Sequence, residues 1–122
     1  DKGVLRVGRP GIWVCGAILL LLLAGLAHQM LNISRLQHMA PALHSQATAL
    51  YDRGEFSEAL QSIGHAITLR PDEPEYRHME GRVREGMNDY AGAIRSYEET
   101  LRINPAHRQA KQGIERCRMA LE

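Results

Sequence analysis

Two different patterns of apolar residues divide this 122-residue chain. Residues 12–27 read IWVCGAILLLLLAGLA, so every position is apolar or glycine and a helix here has no polar face. Beyond residue 40, apolar residues instead recur at i, i+3, i+4 and i+7, the spacing of helices that bury one side. The patterns predict one fully apolar helix and then amphipathic helices near residues 41–53, 56–70, 73–87, 90–103 and 106–121.

The apolar segment has the length of a membrane-spanning helix. No Asp, Glu, Lys or Arg occurs in residues 10–34, and about 20 apolar residues cross the hydrocarbon core of a bilayer. Trp13, at its start, suits the headgroup layer. A cleaved signal peptide has a similar design, with a basic start, a leucine-rich centre and small residues, here Gly25 and Ala27, before the cut. We favour an uncleaved signal anchor, because the segment is present in the chain.

Flanking cations predict the orientation of this single-pass helix. Lys2, Arg6 and Arg9 precede it and only Arg35 follows closely, which places the N-terminus in the cytoplasm and the polar domain on the opposite side, the periplasm in a bacterium. We expect the helix to run past the membrane until Pro41 stops it. Small residues that would let another membrane helix pack closely are Gly11, Cys15, Gly16, Ala24 and Gly25.

The polar part of the chain repeats itself with a period of 34 residues. Residues 54–60 (GEFSEAL) align with residues 88–94 (NDYAGAI), and the register holds as far as Pro71 and Pro105. The first copy reads G-x-F-x-x-A-L-x-x-I-x-x-A-I-x-L-x-P, and the second reads D-Y-x-x-A-I-x-x-Y-x-x-T-L-x-I-x-P. This pattern and period resemble the second helix of the tetratricopeptide repeat (TPR) family.

The resemblance implies a short α-solenoid of two TPR helical hairpins and a C-terminal capping helix, so together with the apolar segment we expect an all-α fold that begins with a single transmembrane helix. Such repeats usually need about three copies for stability, so the cap, the membrane-proximal helix or other subunits must support this short array, and we expect other subunits. The predicted divisions are a basic stub (1–10), a transmembrane helix with a membrane-proximal extension (11–39), two repeats (40–73 and 74–105) and the cap (106–122).

The resemblance also implies a binding surface, because first helices in this family line a concave groove that receives peptides or extended segments. We expect Arg82 and Arg116 to meet an acidic segment of a partner there. A solvated groove without a ligand is the alternative. By the repeat register, the groove positions are His44, Thr48, Tyr51, Asp52, Glu75, His78, Arg82, Glu85, Gln112 and Arg116.

Charge and composition narrow the possible chemistry. The net charge of +1 gives no electrostatic case for binding nucleic acid. The sequence has no phosphate-cradling glycine loop, GxSxG elbow or HExxH motif, so we expect no catalytic residues and no enzyme. Cys15 and Cys117 lie in different parts of the chain and are not expected to pair. No two of the six histidines share a helical turn, so we expect no metal or cofactor, and His28 is the best of the weak candidates.

These observations favour a non-enzymatic, single-pass membrane protein whose TPR domain mediates protein–protein interaction. We expect a scaffold, assembly or accessory subunit of a larger membrane complex, of the respiratory, photosynthetic, secretion or cytochrome-assembly type. Its predicted partners are other protein subunits, contacted through the TPR domain and the membrane helix, together with the lipid bilayer. The alternative is a free membrane-tethered adaptor that recruits a soluble protein or peptide to the groove.

Overall fold

A computed structural model describes the backbone from Lys2 to Glu122 and the side chains from Pro10 onward. The described chain is all-helical, as the sequence predicted. It divides into two compact units, Asp1–Arg35 and Leu36–Glu122. The helices are α1 (Lys2–Asp52), α2 (Phe56–Leu69), α3 (Pro74–Gly86), α4 (Tyr90–Ile103) and α5 (Arg108–Leu121).

The first unit consists of the apolar part of α1. From Pro10 onward this helix is long and apolar enough to cross a membrane, and none of its most apolar stretch is buried by other parts of the protein. Trp13 and Leu21, for example, are 79% and 73% exposed. A signal sequence near the N-terminus shares the same length and composition, so these properties alone define a candidate span.

The prediction that Pro41 ends the first helix is wrong, because α1 continues without interruption to Asp52. A proline inside a helix removes one backbone hydrogen bond and costs about 3 kcal/mol. Packing on both sides of Pro41 offsets this cost, since Ala40 and Ala47 are fully buried in the core and Leu43 packs against the same cluster. The first helix of the first repeat is therefore the end of α1.

The second unit has a thin core made of two clusters. In the first cluster, α2, α3 and the end of α1 contribute mainly small and aliphatic side chains. In the second, Tyr97 from α4 packs with Ala110, Ile114 and Cys117 from α5. Small residues stand where helices approach most closely, and Ala59 and Ala93, at equivalent repeat positions, are both fully buried.

The turns inside the two repeats have the same backbone conformation at positions 34 residues apart. Gly54 and Asn88 have positive φ angles of 79° and 63°, a conformation that glycine and asparagine adopt more easily than other residues. Each turn leads into the aromatic residue that opens the next helix, Phe56 or Tyr90. Asp89 caps α4 by accepting a 3.0 Å hydrogen bond from the Gly92 backbone N–H. The 34-residue repeat of the sequence is therefore also present in the backbone structure.

Candidate binding groove

Helix α3 carries the centre of the expected groove. Glu75, His78, Arg82 and Glu85 follow one another at intervals of three and four residues, so they share one face of this helix. Side chains from α1 and α5 meet this face on its two sides. The structure therefore brings together most of the groove residues that the repeat register selected.

On the α1 side, aromatic and polar contacts join the two first helices. The guanidinium carbon of Arg82 lies 4.7 Å from the centroid of the Tyr51 ring. The ring centroids of His44 and Tyr76 are 5.3 Å apart. The Thr48 hydroxyl of α1 lies 4.0 Å from the Met79 sulfur of α3. These contacts fix this side of the groove before any ligand arrives.

Two expected groove residues take no part in these contacts. Asp52 and Gln112 are exposed, and neither forms a hydrogen bond or ion pair with another side chain among residues 10–122. Asp52 is the last residue of α1, and Gln112 lies on α5. The repeat register alone therefore selects more groove residues than the structure joins by side-chain contacts.

Arg82 is held in position but makes no ion pair with a carboxylate within the part of the chain whose side chains are described. Its flat guanidinium group rests over the Tyr51 ring, a contact worth about 0.5–1 kcal/mol at exposed sites. Stacking orients the group without using its five N–H donors. Arg82 is thus a pre-oriented cation that can bind a carboxylate.

Arg116, by contrast, is already paired. Its Nε and a terminal nitrogen donate hydrogen bonds of 3.0 and 3.2 Å to the two carboxylate oxygens of Glu85. The Tyr97 hydroxyl donates a third bond, of 2.7 Å, to the same carboxylate. Arg116 is therefore paired within the chain, whereas Arg82 is not paired with a carboxylate among residues 10–122, and the meeting of either with an acidic partner stays a prediction.

The pKa values of Glu85 and Tyr97 reflect this network. Burial alone would raise the pKa of Glu85, but the hydrogen bonds from Arg116 and Tyr97 outweigh burial and lower the pKa below 4.5. Burial and the neighbouring Glu85 carboxylate both raise the pKa of Tyr97, so its hydroxyl stays protonated and donates. Glu85 is therefore charged when the protein is folded at neutral pH.

We expect a Glu85→Gln variant to be less stable than the wild type by about 1–2 kcal/mol at neutral pH, because it loses the charge-assisted bonds to Arg116. Since folding lowers the pKa of Glu85, its contribution is present above pH 4.5 and is lost as the pH falls through the folded-state value. The difference between wild type and variant should therefore shrink in acid. Urea unfolding at about pH 7 and about pH 3.5 measures it.

The exposed Glu98 on α4 provides the control for this prediction. Glu98 makes no side-chain hydrogen bond or ion pair among residues 10–122, so a Glu98→Gln variant should unfold like the wild type at both pH values. A Glu85→Gln deficit that stays constant from neutral to acid pH would contradict the assignment.

A second group of polar side chains was not found by sequence reasoning. Glu75 and His78 on α3 lie next to His107, and potential metal-ligating atoms of all three are within 4.8 Å of one another. His107 caps α5, because its Nδ1 accepts a 3.2 Å hydrogen bond from the Ala110 backbone N–H. Its Nε2 lies 2.9 Å from Glu75 Oε1, so the neutral ring carries its proton on Nε2.

Separation in the sequence explains why this cluster was missed. His78 and His107 are 29 residues apart, so no search within one helical turn finds them. The 34-residue period does not find the pair either, since the position one period after His78 is Gln112, and the equivalent of His107 is Glu73. Burial and the nearby His107 lower the pKa of His78 to about 4, so this ring is neutral at physiological pH.

Comparison with known proteins identifies the fold of the second unit. No protein-family model and no curated protein matches the chain. Among solved structures, the first TPR of Spaghetti (RPAP3), bound to the HSP90 peptide SRMEEVD, matches with a TM-score of 0.65 and 20% identity, over 67% of this chain and 65% of that one.

Two further TPR structures show the same likeness. The second TPR domain of human RPAP3, in complex with the HSP70 peptide SGPTIEEVD, matches with a TM-score of 0.63 and 20% identity, over 65% of this chain and 66% of that one. The Arabidopsis OM64 TPR domain matches with a TM-score of 0.63 and 22% identity, over 66% of each chain. This chain thus spans just under two thirds of the length of these structures. Its fold is a TPR fold, as the 34-residue period predicted.

Proposed function

We propose that the protein is a membrane-tethered interaction module whose groove binds an acidic, extended segment of a partner protein. The position of Arg82 carries this proposal. Its guanidinium group is oriented by Tyr51, lies next to the neutral His78 and has no carboxylate partner among residues 10–122. A carboxylate that approaches the groove finds these hydrogen-bond donors already in place, which reduces the entropic cost of binding.

The likeness to TPR domains supports a binding role over an enzymatic one. Two of the similar structures hold peptides that contain the acidic sequence EEVD, from HSP90 and HSP70. For this chain we propose only the shared chemistry, an acidic segment in the groove. The groove residues are polar and carry charges of both signs, and Arg82 is not paired with a carboxylate among residues 10–122.

Membrane tethering is the second part of the proposal. From Pro10 onward, α1 provides a stretch long and apolar enough to span a bilayer, with its side chains exposed. We propose that this helix anchors the protein, with the TPR unit on the side opposite the cytoplasm. In a bacterium the groove would then select partners in the periplasm.

An apolar hollow in the second unit favours an additional role as an accessory subunit of a membrane complex. The hollow has a volume of about 310 Å³ and is lined chiefly by Leu36, Met39, Leu43 and Leu69. Leu36 and Met39 are 48% and 53% exposed, and a contiguous exposed apolar patch is typical of a protein or membrane interaction site. A chain that purifies in mild detergent as a lone monomer would contradict this second role.

Reversal of the charge at Arg82 tests the binding proposal. We expect the full chain in detergent micelles to capture acidic peptides in preference to peptides of the same length with Asn and Gln in place of Asp and Glu. Arg82→Glu should weaken this binding about tenfold or more, because it replaces attraction by repulsion. Fluorescence anisotropy with labelled peptides gives the affinities at a fixed salt concentration.

Two variants control for general charge and for folding. Arg82→Lys keeps the positive charge but loses the planar guanidinium group that stacks on Tyr51. It should therefore lose part of the affinity for the acidic peptide. Arg95, an exposed arginine on α4, makes no ion pair among residues 10–122, so Arg95→Glu should bind as the wild type does. The proposal fails if Arg82→Glu and Arg95→Glu bind the acidic peptide equally well.

A further inference from the structure

The cluster of Glu75, His78 and His107 has the donor atoms and spacing of a metal site. Glu75 Oε1 lies 2.9 Å from His107 Nε2, and Glu75 Oε2 lies 3.9 Å from His78 Nδ1. Ligand atoms around a four-coordinate zinc ion, each about 2.0–2.2 Å from the metal, are about 3.3 Å apart. Small movements of the side chains would therefore give these three groups a common centre.

The two imidazole rings are largely covered by the protein, whereas the carboxylate is open to solvent. The side chains of His107 and His78 are 4% and 13% exposed, and their ring centroids are 4.8 Å apart. Behind them, the buried ring of Tyr97 lies 5.7 Å from that of His78. The Glu75 side chain is 55% exposed, so it opens the site to solvent and gives an ion a route of entry. Covered nitrogen donors beside a solvent-exposed carboxylate suit capture of an ion from solution.

We propose that Glu75, His78 and His107 bind a divalent transition-metal ion, Zn²⁺ in preference to Mg²⁺ or Ca²⁺. Two imidazole nitrogens suit ions of intermediate softness, whereas Mg²⁺ and Ca²⁺ prefer sites made only of oxygen atoms. Three protein ligands leave one position of a tetrahedral ion open to water or another donor. Glu75 and His78 also lie on the groove face of α3, but Arg82 is not a ligand, so the metal proposal does not rest on the proposed peptide binding.

Metal binding would break the hydrogen bond by which His107 caps the start of α5. His107 Nδ1 accepts the Ala110 N–H, so Nε2 carries the proton in the metal-free protein. When Nε2 donates its lone pair to the metal, the proton moves to Nδ1, and the Ala110 N–H loses its acceptor. Loss of such a cap weakens binding by about 2- to 30-fold, which three metal bonds can exceed.

A titration of the full chain in detergent micelles, stripped of metal with EDTA, tests the site. We expect one Zn²⁺ ion per chain, with the affinity measured by competition against a chromophoric chelator. His78→Asn and Glu75→Gln should each weaken binding about tenfold or more, since each removes a ligand. His65, an exposed histidine on α2, makes no side-chain hydrogen bond or ion pair among residues 10–122, so His65→Asn should bind as the wild type does.

The amide of Ala110 gives a second, independent measurement. At saturating Zn²⁺ its hydrogen exchange should become faster, because the cap is lost, while Mg²⁺ at the same concentration should leave it unchanged. Equal Zn²⁺ affinities of the wild type and both ligand variants would overturn the proposal, as would an Ala110 amide that does not respond. Peptide capture by Arg82 is measured in the absence of metal, so failure of either proposal leaves the other test intact.

Discussion

Replacement of Gly113 by alanine is expected to lower the free energy of unfolding of the TPR unit by about 1–3 kcal/mol. A Cβ atom added at Gly113 would lie 2.5 Å from Cε2 of Tyr97, much closer than real contacts allow. The ring cannot easily move away, because Tyr97 is fully buried and its hydroxyl is bonded to Glu85. The substitution therefore forces apart α4 and α5.

Gly81 packs against the opposite edge of the Tyr97 ring. A Cβ atom at Gly81 would lie 2.6 Å from Cε1 of Tyr97, so Gly81→Ala should destabilise the protein to a similar extent. Both substitutions improve intrinsic helix propensity, by about 1 kcal/mol, and the expected loss is what remains after that gain. The two glycines together leave the tyrosine ring only one position.

Gly64 in the middle of α2 is the matched control, since a Cβ atom there would meet nothing within 4 Å. Gly64→Ala should leave stability unchanged or increase it by about 0.5–1 kcal/mol through helix propensity. Thermal unfolding followed by circular dichroism compares the three variants, and 1 kcal/mol corresponds to about 4–8 °C in a unit of this size. If Gly113→Ala is as stable as Gly64→Ala, the close packing around Tyr97 is not as described.

Two arginines in the apolar helix are expected to prevent membrane insertion. Leu21 and Leu22 lie near the middle of the uncharged stretch and are 73% and 61% exposed. An arginine at the centre of a membrane helix costs about 2.5–3.5 kcal/mol, and leucine contributes about −0.3 to −0.6 kcal/mol. The double variant Leu21→Arg/Leu22→Arg thus loses about 6–8 kcal/mol, more than a helix of this composition gains on insertion.

Extraction of membranes with alkaline carbonate measures the outcome. The wild type should remain in the membrane pellet, whereas the double arginine variant should appear in the soluble fraction or be degraded. Leu21→Ile/Leu22→Ile, which keeps the apolar character, should stay in the pellet. A double arginine variant that still resists extraction would show that the helix does not anchor the chain by insertion.

The amphipathic helices could be predicted from sequence because their causes are local. Apolar spacing, the turn residues Gly54 and Asn88, and the two prolines that follow the second helices all act within a few residues. Reasoning from such local signals fails at Pro41. Its local preference for ending a helix is outweighed by burial of Ala40 and Ala47, and that burial depends on α2 and α3.

The groove was predicted only in part, for the same physical reason. Register placed Arg82, Glu85 and Arg116 on one surface, and the structure brings them there. Register does not show which charges neutralise each other, since the pairing of Arg116 with Glu85 joins residues 31 positions apart. The meeting of His78 with His107 depends on how α3 packs beside α5, and this again is a property of the assembled solenoid.

The shared carboxylate of Glu85 divides the groove into a part that can be redesigned and a part that cannot. Changes at Glu85 or Arg116 also alter the anchoring of Tyr97, so altered specificity there comes with altered stability. Arg82 rests on Tyr51 at the surface and supports no buried group. Under the proposed binding role, a change at Arg82 would alter ligand preference while the core keeps its packing.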